Sequence, residues 1–458
     1  MVNRKKSLKV ILNDLLKSLF GFHPYFFAKD TSRIFLGVPL GLEGSYLIFI
    51  FYLCGVALKH PWLGVLSLAI FSYLNPHSYA WGFALTIPAY QILFFIVLIA
   101  YLKTNDKQPI PKDWRVIFFI FLWCYFVFTT FFAFSPMAAQ QKLLETTKIF
   151  LPFFFTLTLI STREKLYYLI ITIAVSIALV ATKGGLFSLA TGFSYRVYGP
   201  PHSLITGNNE FAVATIIIIP LLVLWFRETK HQWIQYGLLV VIPLCVASSI
   251  SSWSRGGLLA LIATGLVLIW DSKRKILIVP IIATSLYFSI PHLPEKWFSR
   301  MDTIETFEQD KSAQGRLEVW RDGWNNTLEY PLTGAGFEGW RYVSMRDWHS
   351  SYVEMLSEHG FIAFFIWLSM ILGSVISLTR LPNKTKEFSE LHKWVTNYSH
   401  MVRASLIAYM VGTAFLGLAY WDLLYHLIFI SVLIKKFAFE ELAELKKKRD
   451  LSIETSEA

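Results

Sequence analysis

Residues 211–251 read FAVATIIIIPLLVLWFRETKHQWIQYGLLVVIPLCVASSIS, two apolar runs joined by the basic connection Arg227 to Lys230. About 20 apolar residues cross the hydrocarbon core of a bilayer, so this stretch reads as two membrane spans and a turn. The pattern recurs along the chain. Candidate spans before it are 36–58, 62–75, 84–102, 115–134, 143–160 and 166–182, then 211–226 and 233–251; after it come 256–270, 275–291, 360–378, 402–419 and 421–434. Hydrophobic residues make up 55% of the 458 and charged residues 16%, where soluble domains carry about 25% charged residues. The fold class expected is an all-α integral membrane protein.

The formal net charge of +11 is scattered among short loops. Nucleic-acid binding needs it gathered into one accessible stripe, so that function class is excluded. The connections 103–115, 163–165, 227–230, 273–275 and 380–386 and the tail 446–449 are basic, which assigns them to the cytoplasm. The alternate connections, 183–210, 249–255 and the long 292–350, then face outward. Thirteen segments would put the basic N-terminus on the wrong side. The two pieces within 45–75, joined through Lys59, His60 and Pro61, are therefore read as including one that does not span, which leaves about twelve spans with both ends inside.

The chain divides into a basic amphipathic segment 1–35 lying on the inner membrane surface, transmembrane helices over 36–291, a large outward loop 292–350, C-terminal transmembrane helices over 351–436 and a charged tail 437–458. Within the loop, Leu317, Trp320, Trp324 and Leu328 recur at spacings of three and four, the period of an amphipathic helix. Pro331 to Gly336 ends it. Cys54, Cys124 and Cys245 lie in apolar runs, where thiols act as small hydrophobes.

Polar residues with chemical potential collect on the outward side. Arg196 lies in Tyr195-Arg-Val-Tyr-Gly-Pro-Pro201, ahead of Asn208, Asn209 and Glu210 at the mouth of the next span. Arg255 lies in Ser251-Ser-Trp-Ser-Arg-Gly-Gly257. Either arginine alone is ordinary snorkelling; together they make a fork suited to phosphate oxygens. Gly256 and Gly257 either leave helix-start amides open to an anion or serve close helix packing. Arg316, in Gly315-Arg-Leu-Glu-Val-Trp320, is a third phosphate contact or a partner of Glu318 or Asp322. His349, in Arg346-Asp-Trp-His-Ser-Ser-Tyr352, is the side chain best suited to exchange a proton near neutral pH. Asp347, Glu354 or Glu358 could orient its ring. Metal ligation is disfavoured, because Glu358 and His359 belong on other helix faces and no ligand spacing appears.

These motifs, in this order, resemble the O-antigen ligase and polymerase superfamily of WaaL and Wzy type. The resemblance rests on the Arg196 loop, Ser254-Arg-Gly-Gly257, Gly315-Arg316 with Trp320, Pro331-Leu-Thr-Gly-Ala-Gly336, and His349-Ser350 followed by Gly360. Ala363 departs from the Gly, Thr or Tyr that closes the ligase pattern. A narrower similarity, to O-glycosylation ligases associated with exosortase A systems, rests on His60-Pro-Trp-Leu-Gly-Val65, Leu74-Asn-Pro-His77, Ala80-Trp-Gly-Phe83, Arg196-Val-Tyr-Gly-Pro-Pro201, His349-Ser-Ser-Tyr352 and Glu358-His-Gly360. The resemblance implies a bacterial inner-membrane glycosyltransferase. Its donor would be a glycan on undecaprenyl pyrophosphate, and its acceptor a hydroxyl of a lipid-borne sugar, a protein or a polysaccharide. Transfer would occur on the periplasmic face without metal or nucleotide. Arg196 and Arg255 would hold pyrophosphate and His349 would be the general base. A Wzy-type polymerase is the alternative; a lipid-linked glycan transporter rests only on Glu145 and Lys148 inside the fifth candidate span.

Overall fold

The computed structural model describes residues 41–79, 86–272, 275–276, 279–280, 287, 290–302, 311–344 and 346–457. Segment 1–35, the motif at 80–83, Arg274 and most of span 275–291 lie outside the described residues. The chain forms two compact units, 1–49 with 80–87 and 50–79 with 88–458. In the first, the described part is the start of helix α1 (Gly41–Lys59) with residues 86–87. The second holds the rest of α1 and the helices after it.

All regular structure among the described residues is helical: after α1 come α2 (Pro61–Tyr73), α3 (Ala89–Lys103), α4 (Trp114–Thr130), α5 (Pro136–Phe150), α6 (Pro152–Leu159), α7 (Arg163–Ala190), α8 (Asn208–Glu228), α9 (Gln232–Ile250), α10 (Arg255–Asp271), α11 (Glu295–Asp302), α12 (Lys311–Glu329), α13 (Ser351–Lys384), α14 (Ser389–Gly412) and α15 (Asp422–Glu457). Helix starts carry local signals. Pro61, Pro136 and Pro152 open helices, where the missing N–H is no loss. Thr162 caps α7 by accepting from the Lys165 amide at 3.2 Å, which satisfies one of its unpaired donors.

α7, α8, α9 and α13 are long and apolar enough to cross a membrane; Tyr46–Lys59, α2, α3 and α4 are apolar but shorter. α8 is central, buried from Phe211 to Leu222 and packed against α7, α9, α10 and α14. Pro220 interrupts its ladder, and Ser405 of α14 donates to the adjacent Ile217 carbonyl at 2.7 Å, the kind of neighbouring support that keeps a membrane-depth proline tolerable.

Several sequence expectations change. The candidate span 143–160 is two helices, α5 and α6, meeting at Leu151 and Pro152. Glu145 is half-exposed on α5 and pairs with Lys142 at 3.6 Å; Lys148 lies on the same helix. α2 has 13 residues, a length of roughly 20 Å at 1.5 Å per residue, against about 30 Å of hydrocarbon. α7 runs on through Lys183 to Ala190, a stretch assigned to the following loop. α15 continues without a break into the charged tail.

The helix in the large loop is present, but its buried face is not the one the apolar spacing marks. Leu317, Trp324 and Leu328 are 47%, 48% and 57% exposed, while Val319 is 3% exposed. α12 packs on α13 through small residues: a side chain at Gly323 would meet Val353 at 2.8 Å and Trp348 at 3.0 Å.

The basic connections converge at one end of the bundle. Lys165 pairs with Asp106 at 2.9 Å and Arg163 with Glu228 at 3.2 Å. Arg403 reaches both Asp271 oxygens at 2.6 Å. Asp113 binds Arg115 at 2.8 Å and Lys435 at 2.9 Å. Burial opposes charge on Asp113, but hydrogen bonds and attraction from Arg115 and then Lys435 hold it well below the usual carboxylate range.

Candidate active site

At the opposite end, α13 is broken at Gly360, whose φ of 73° and ψ of −173° leave the helix. The break frees carbonyls that helix geometry would have used. Ser357 and Glu358 accept instead from the Ala335 and Gly336 amides, each at 2.9 Å, and Phe361 N–H donates to the Pro331 carbonyl at 2.9 Å. Asn326 of α12 adds a bond to the Ser357 carbonyl at 3.0 Å. The turn Pro331–Gly336 is thereby sewn into the helix break. A side chain on Gly360 would meet the Leu332 carbonyl at 2.8 Å, so glycine serves both the left-handed backbone and the close approach.

Glu358, buried just ahead of the break, gathers three donors. Oε1 accepts from Trp348 Nε1 at 3.1 Å and from the Glu338 amide at 3.0 Å, and Oε2 accepts from Tyr420 O–H at 2.7 Å. The fully buried Trp348 is held a second time, its carbonyl accepting from Trp320 Nε1 of α12 at 2.9 Å. His349 is the next residue. It is half-buried, has a φ of 48°, and its ring has no hydrogen-bond partner among the described residues. Sequence reasoning offered Asp347, Glu354 and Glu358 as ring partners. Asp347 instead accepts from the Trp348 amide at 2.7 Å, Glu354 accepts from the Ala419 amide at 3.0 Å, and Glu358 acts on the neighbouring tryptophan. His359 is fully buried between Phe126 and Phe337 with Nδ1 2.7 Å from Thr129 Oγ1.

The arginine loops are joined to one another. Val197 N–H donates to the Ser251 carbonyl at 3.1 Å, Ser251 Oγ to the Tyr195 carbonyl at 2.8 Å, and Trp253 Nε1 to the Phe193 carbonyl at 3.3 Å. The Arg196 guanidinium lies over the Trp253 ring, 5.3 Å from its centroid, a stacking that orients the planar fork. Asn208 Nδ2 donates to the Ser252 carbonyl at 2.8 Å. Arg255 opens α10, capped by Ser254, whose hydroxyl accepts from the Gly257 amide at 3.1 Å. A side chain on Gly256 would meet Phe415 at 3.3 Å and one on Gly257 would meet Ala212 at 3.0 Å. The cavity beside Gly257 and Trp297 measures about 10 Å³, and both glycines sit in close contact with neighbouring elements.

Glu210 connects the two halves. It sits in the first turn of α8, half-buried, within electrostatic range of His349, Asp347 and Arg316. Arg316 lies in the second turn of α12, beside Gly315, whose bare backbone accommodates the Arg346 guanidinium. Asn209 lies between Asn208 and Glu210, also half-buried. Ser350, buried, is the N-cap of α13 without a side-chain capping bond. The Leu74-Asn-Pro-His77 motif joins the same end, since Asn75 Nδ2 donates to the Pro201 carbonyl at 3.1 Å.

Among the described residues, the non-glycine residues with positive φ are Asn75, Phe193, His202, Trp253, Glu338 and His349, and these lie in loops at this end. Such backbone is held against its preference only where the surroundings over-determine it, and it concentrates at functional sites. Sequence reasoning missed Trp348, Tyr420 and Glu338. Nothing local marks them, because the Glu358–Tyr420 bond spans 62 positions and Glu358–Glu338 spans 20.

Residues 244–368, which carry Arg255, Arg316, His349 and Gly360, match the O-antigen ligase family. That match supports the resemblance to the O-antigen ligase/polymerase superfamily. Residues 43–246, which carry Arg196 and the Asn208–Glu210 mouth, match a family of unknown function (DUF5935). A search of curated proteins finds no match. The matched domain and the apolar helices together support a membrane enzyme of ligase/polymerase type.

Proposed function

We propose that this protein is an O-antigen ligase-type glycosyltransferase of the bacterial inner membrane, with about twelve spans, that moves a glycan en bloc from undecaprenyl pyrophosphate to an acceptor hydroxyl on the periplasmic face. The observation that carries the reading is the electrostatic grouping of His349, Asp347, Arg316 and Glu210, beside the joined loops of Arg196 and Arg255. In the reaction the acceptor oxygen forms a bond to the sugar carbon that carries pyrophosphate, His349 takes its proton, and the carbon–oxygen bond to pyrophosphate breaks. The leaving group departs with added negative charge, which guanidiniums stabilise most where charge develops. A strain lacking the protein should accumulate lipid-linked glycan and lose one finished glycoconjugate; shortened chains on an otherwise intact conjugate would indicate a polymerase instead.

The orientation rests on the basic end facing the cytoplasm. In a variant without Cys54, Cys124 and Cys245, a membrane-impermeant thiol reagent should label a cysteine placed at His202 but not one at Lys230. The reverse pattern would overturn the periplasmic site.

Arg255→Lys should lose most transfer although the charge stays, because lysine is a point charge and cannot present two parallel donors to phosphate oxygens. Arg196→Lys should lose activity as well, since it also gives up the stack on Trp253. Arg316→Ala should cost less. Normal transfer by Arg255→Lys at matched expression would assign Arg255 to interfacial snorkelling.

A further inference from the structure

The basic end of the bundle contains a cavity of about 260 Å³ between α4, α13 and α15, lined by no residue of the candidate active site. This approaches the roughly 300 Å³ at which ligand pockets begin. Arg115, Arg380, Lys384 and Lys435 contribute to its wall, with Trp114 and Phe439 beside them. Arg115 is rigidly held, its guanidinium bonded to Asp113 at 2.8 and 2.9 Å, to Ser431 Oγ at 2.7 Å and to Ser374 Oγ at 3.2 Å. Lys435 shares Asp113 at 2.9 Å. Arg380 and Lys384 are exposed and have no carboxylate partner among the described residues, and Lys384 lies over the Phe439 ring at 5.4 Å. One carboxylate therefore faces four cations.

The apolar side of the pocket leads away from the charges along the helices. The indole of Trp114 lies against Gly373, whose missing side chain makes room for it. Ile376 and Leu372 on α13 and Ile117 on α4, 48%, 39% and 65% exposed, continue the surface. Both helices run from here toward the opposite end, so this apolar strip descends from the headgroup level into the hydrocarbon. An anion with two long tails can engage both the charges and the strip; a free anion can engage only the charges.

We infer that this pocket binds an anionic phospholipid, its phosphate between Arg380, Lys384 and Lys435 and its acyl chains along Ile376, Leu372 and Ile117. Basic pockets between membrane helices suit such headgroups, and each cation near the surface contributes about fivefold in binding. The pocket is independent of the proposed transfer reaction, and its test does not use activity.

Purified full-length protein would be reconstituted in nanodiscs containing phosphatidylglycerol and phosphatidylcholine, and retained lipid measured by native mass spectrometry, for wild type and for Arg380→Ala with Lys384→Ala. Wild type should retain phosphatidylglycerol in preference to phosphatidylcholine. The double variant, checked for unchanged elution and helix content, should bind it roughly thirtyfold more weakly. Equal retention of the two lipids by wild type, or unaltered phosphatidylglycerol retention by the folded double variant, would overturn the proposal. So would retention of inorganic phosphate, lost in the double variant, with no preference for phosphatidylglycerol, since that result would make the pocket a free-anion site.

Discussion

His349→Gln should abolish glycan transfer while leaving the donor bound. Removing a general base lowers the rate by roughly 10²- to 10⁴-fold, and glutamine keeps a hydrogen-bonding side chain of similar reach but cannot take up a proton near neutral pH. Trp348 is locked by Glu358 and Trp320, so the segment that presents residue 349 stays in place without the imidazole. The backbone is a second variable. At a φ of 48° a β-branched residue would be strained where glutamine is only mildly so, and His349→Val would confuse the two effects. The measurement is transfer rate in purified membranes at matched protein level, with retention of lipid-linked glycan assayed separately. Near-normal transfer by the glutamine variant would remove His349 as the base, and Glu210, within electrostatic range of it, would be the next residue to replace.

The helical class, the four longest apolar helices and the grouping of basic connections at one end were legible because each depends on a run of adjacent residues. Hydropathy and loop charge need no knowledge of distant neighbours. The motif residues around Arg196, Arg255 and His349 were legible as types, and the structure brings them to one end. What the spacing could not tell was which surface of a helix is buried. In α12, Leu317, Trp324 and Leu328 recur at the right period, yet Gly315, Val319 and Gly323 face the protein. A residue without a side chain lets two backbones approach, and hydrophobicity patterns give such a residue little weight. Pro152 opens α6 and ends α5, so the span read over 143–160 is two helices.

The network around Glu358 was illegible for a different reason. A carboxylate nine residues past His349 invites the idea that it orients the imidazole, and the chain supplies the acceptor of that idea but not its geometry. Gly360 breaks the helix at once after Glu358 and His359, and the turn from Pro331 fills the break. The position of Glu338 over Glu358 is a consequence of that docking, because Gly336 pairs with the Glu358 carbonyl and Glu338 comes two residues later. Gly336 and Gly360 thus act on His349 through Glu358 and Trp348, without touching it.

The second large effect is expected at Glu358, and it separates a scaffold from a proton carrier. Glu358→Ala leaves Trp348 Nε1, the Glu338 amide and Tyr420 O–H without their acceptor. Each buried donor left unpaired costs about 1–3 kcal/mol, so the alanine variant should lose several kcal/mol of stability and, with Trp348 released, most transfer. Glu358→Gln is the informative partner. Its amide oxygen can still accept from Trp348 and Glu338, and the Tyr420 hydroxyl can turn to accept from its amide nitrogen. If Glu358 only positions Trp348 and hence His349, the glutamine variant should retain near-normal thermal stability in detergent and a transfer rate within a few-fold of wild type, with an unchanged pH profile. A glutamine variant that is stable yet as inactive as His349→Gln would show that the carboxylate exchanges a proton during turnover. Glu358 and His349 would then work as a pair, and the double variant should be no slower than either single one, because residues that act as a unit lose their effect together.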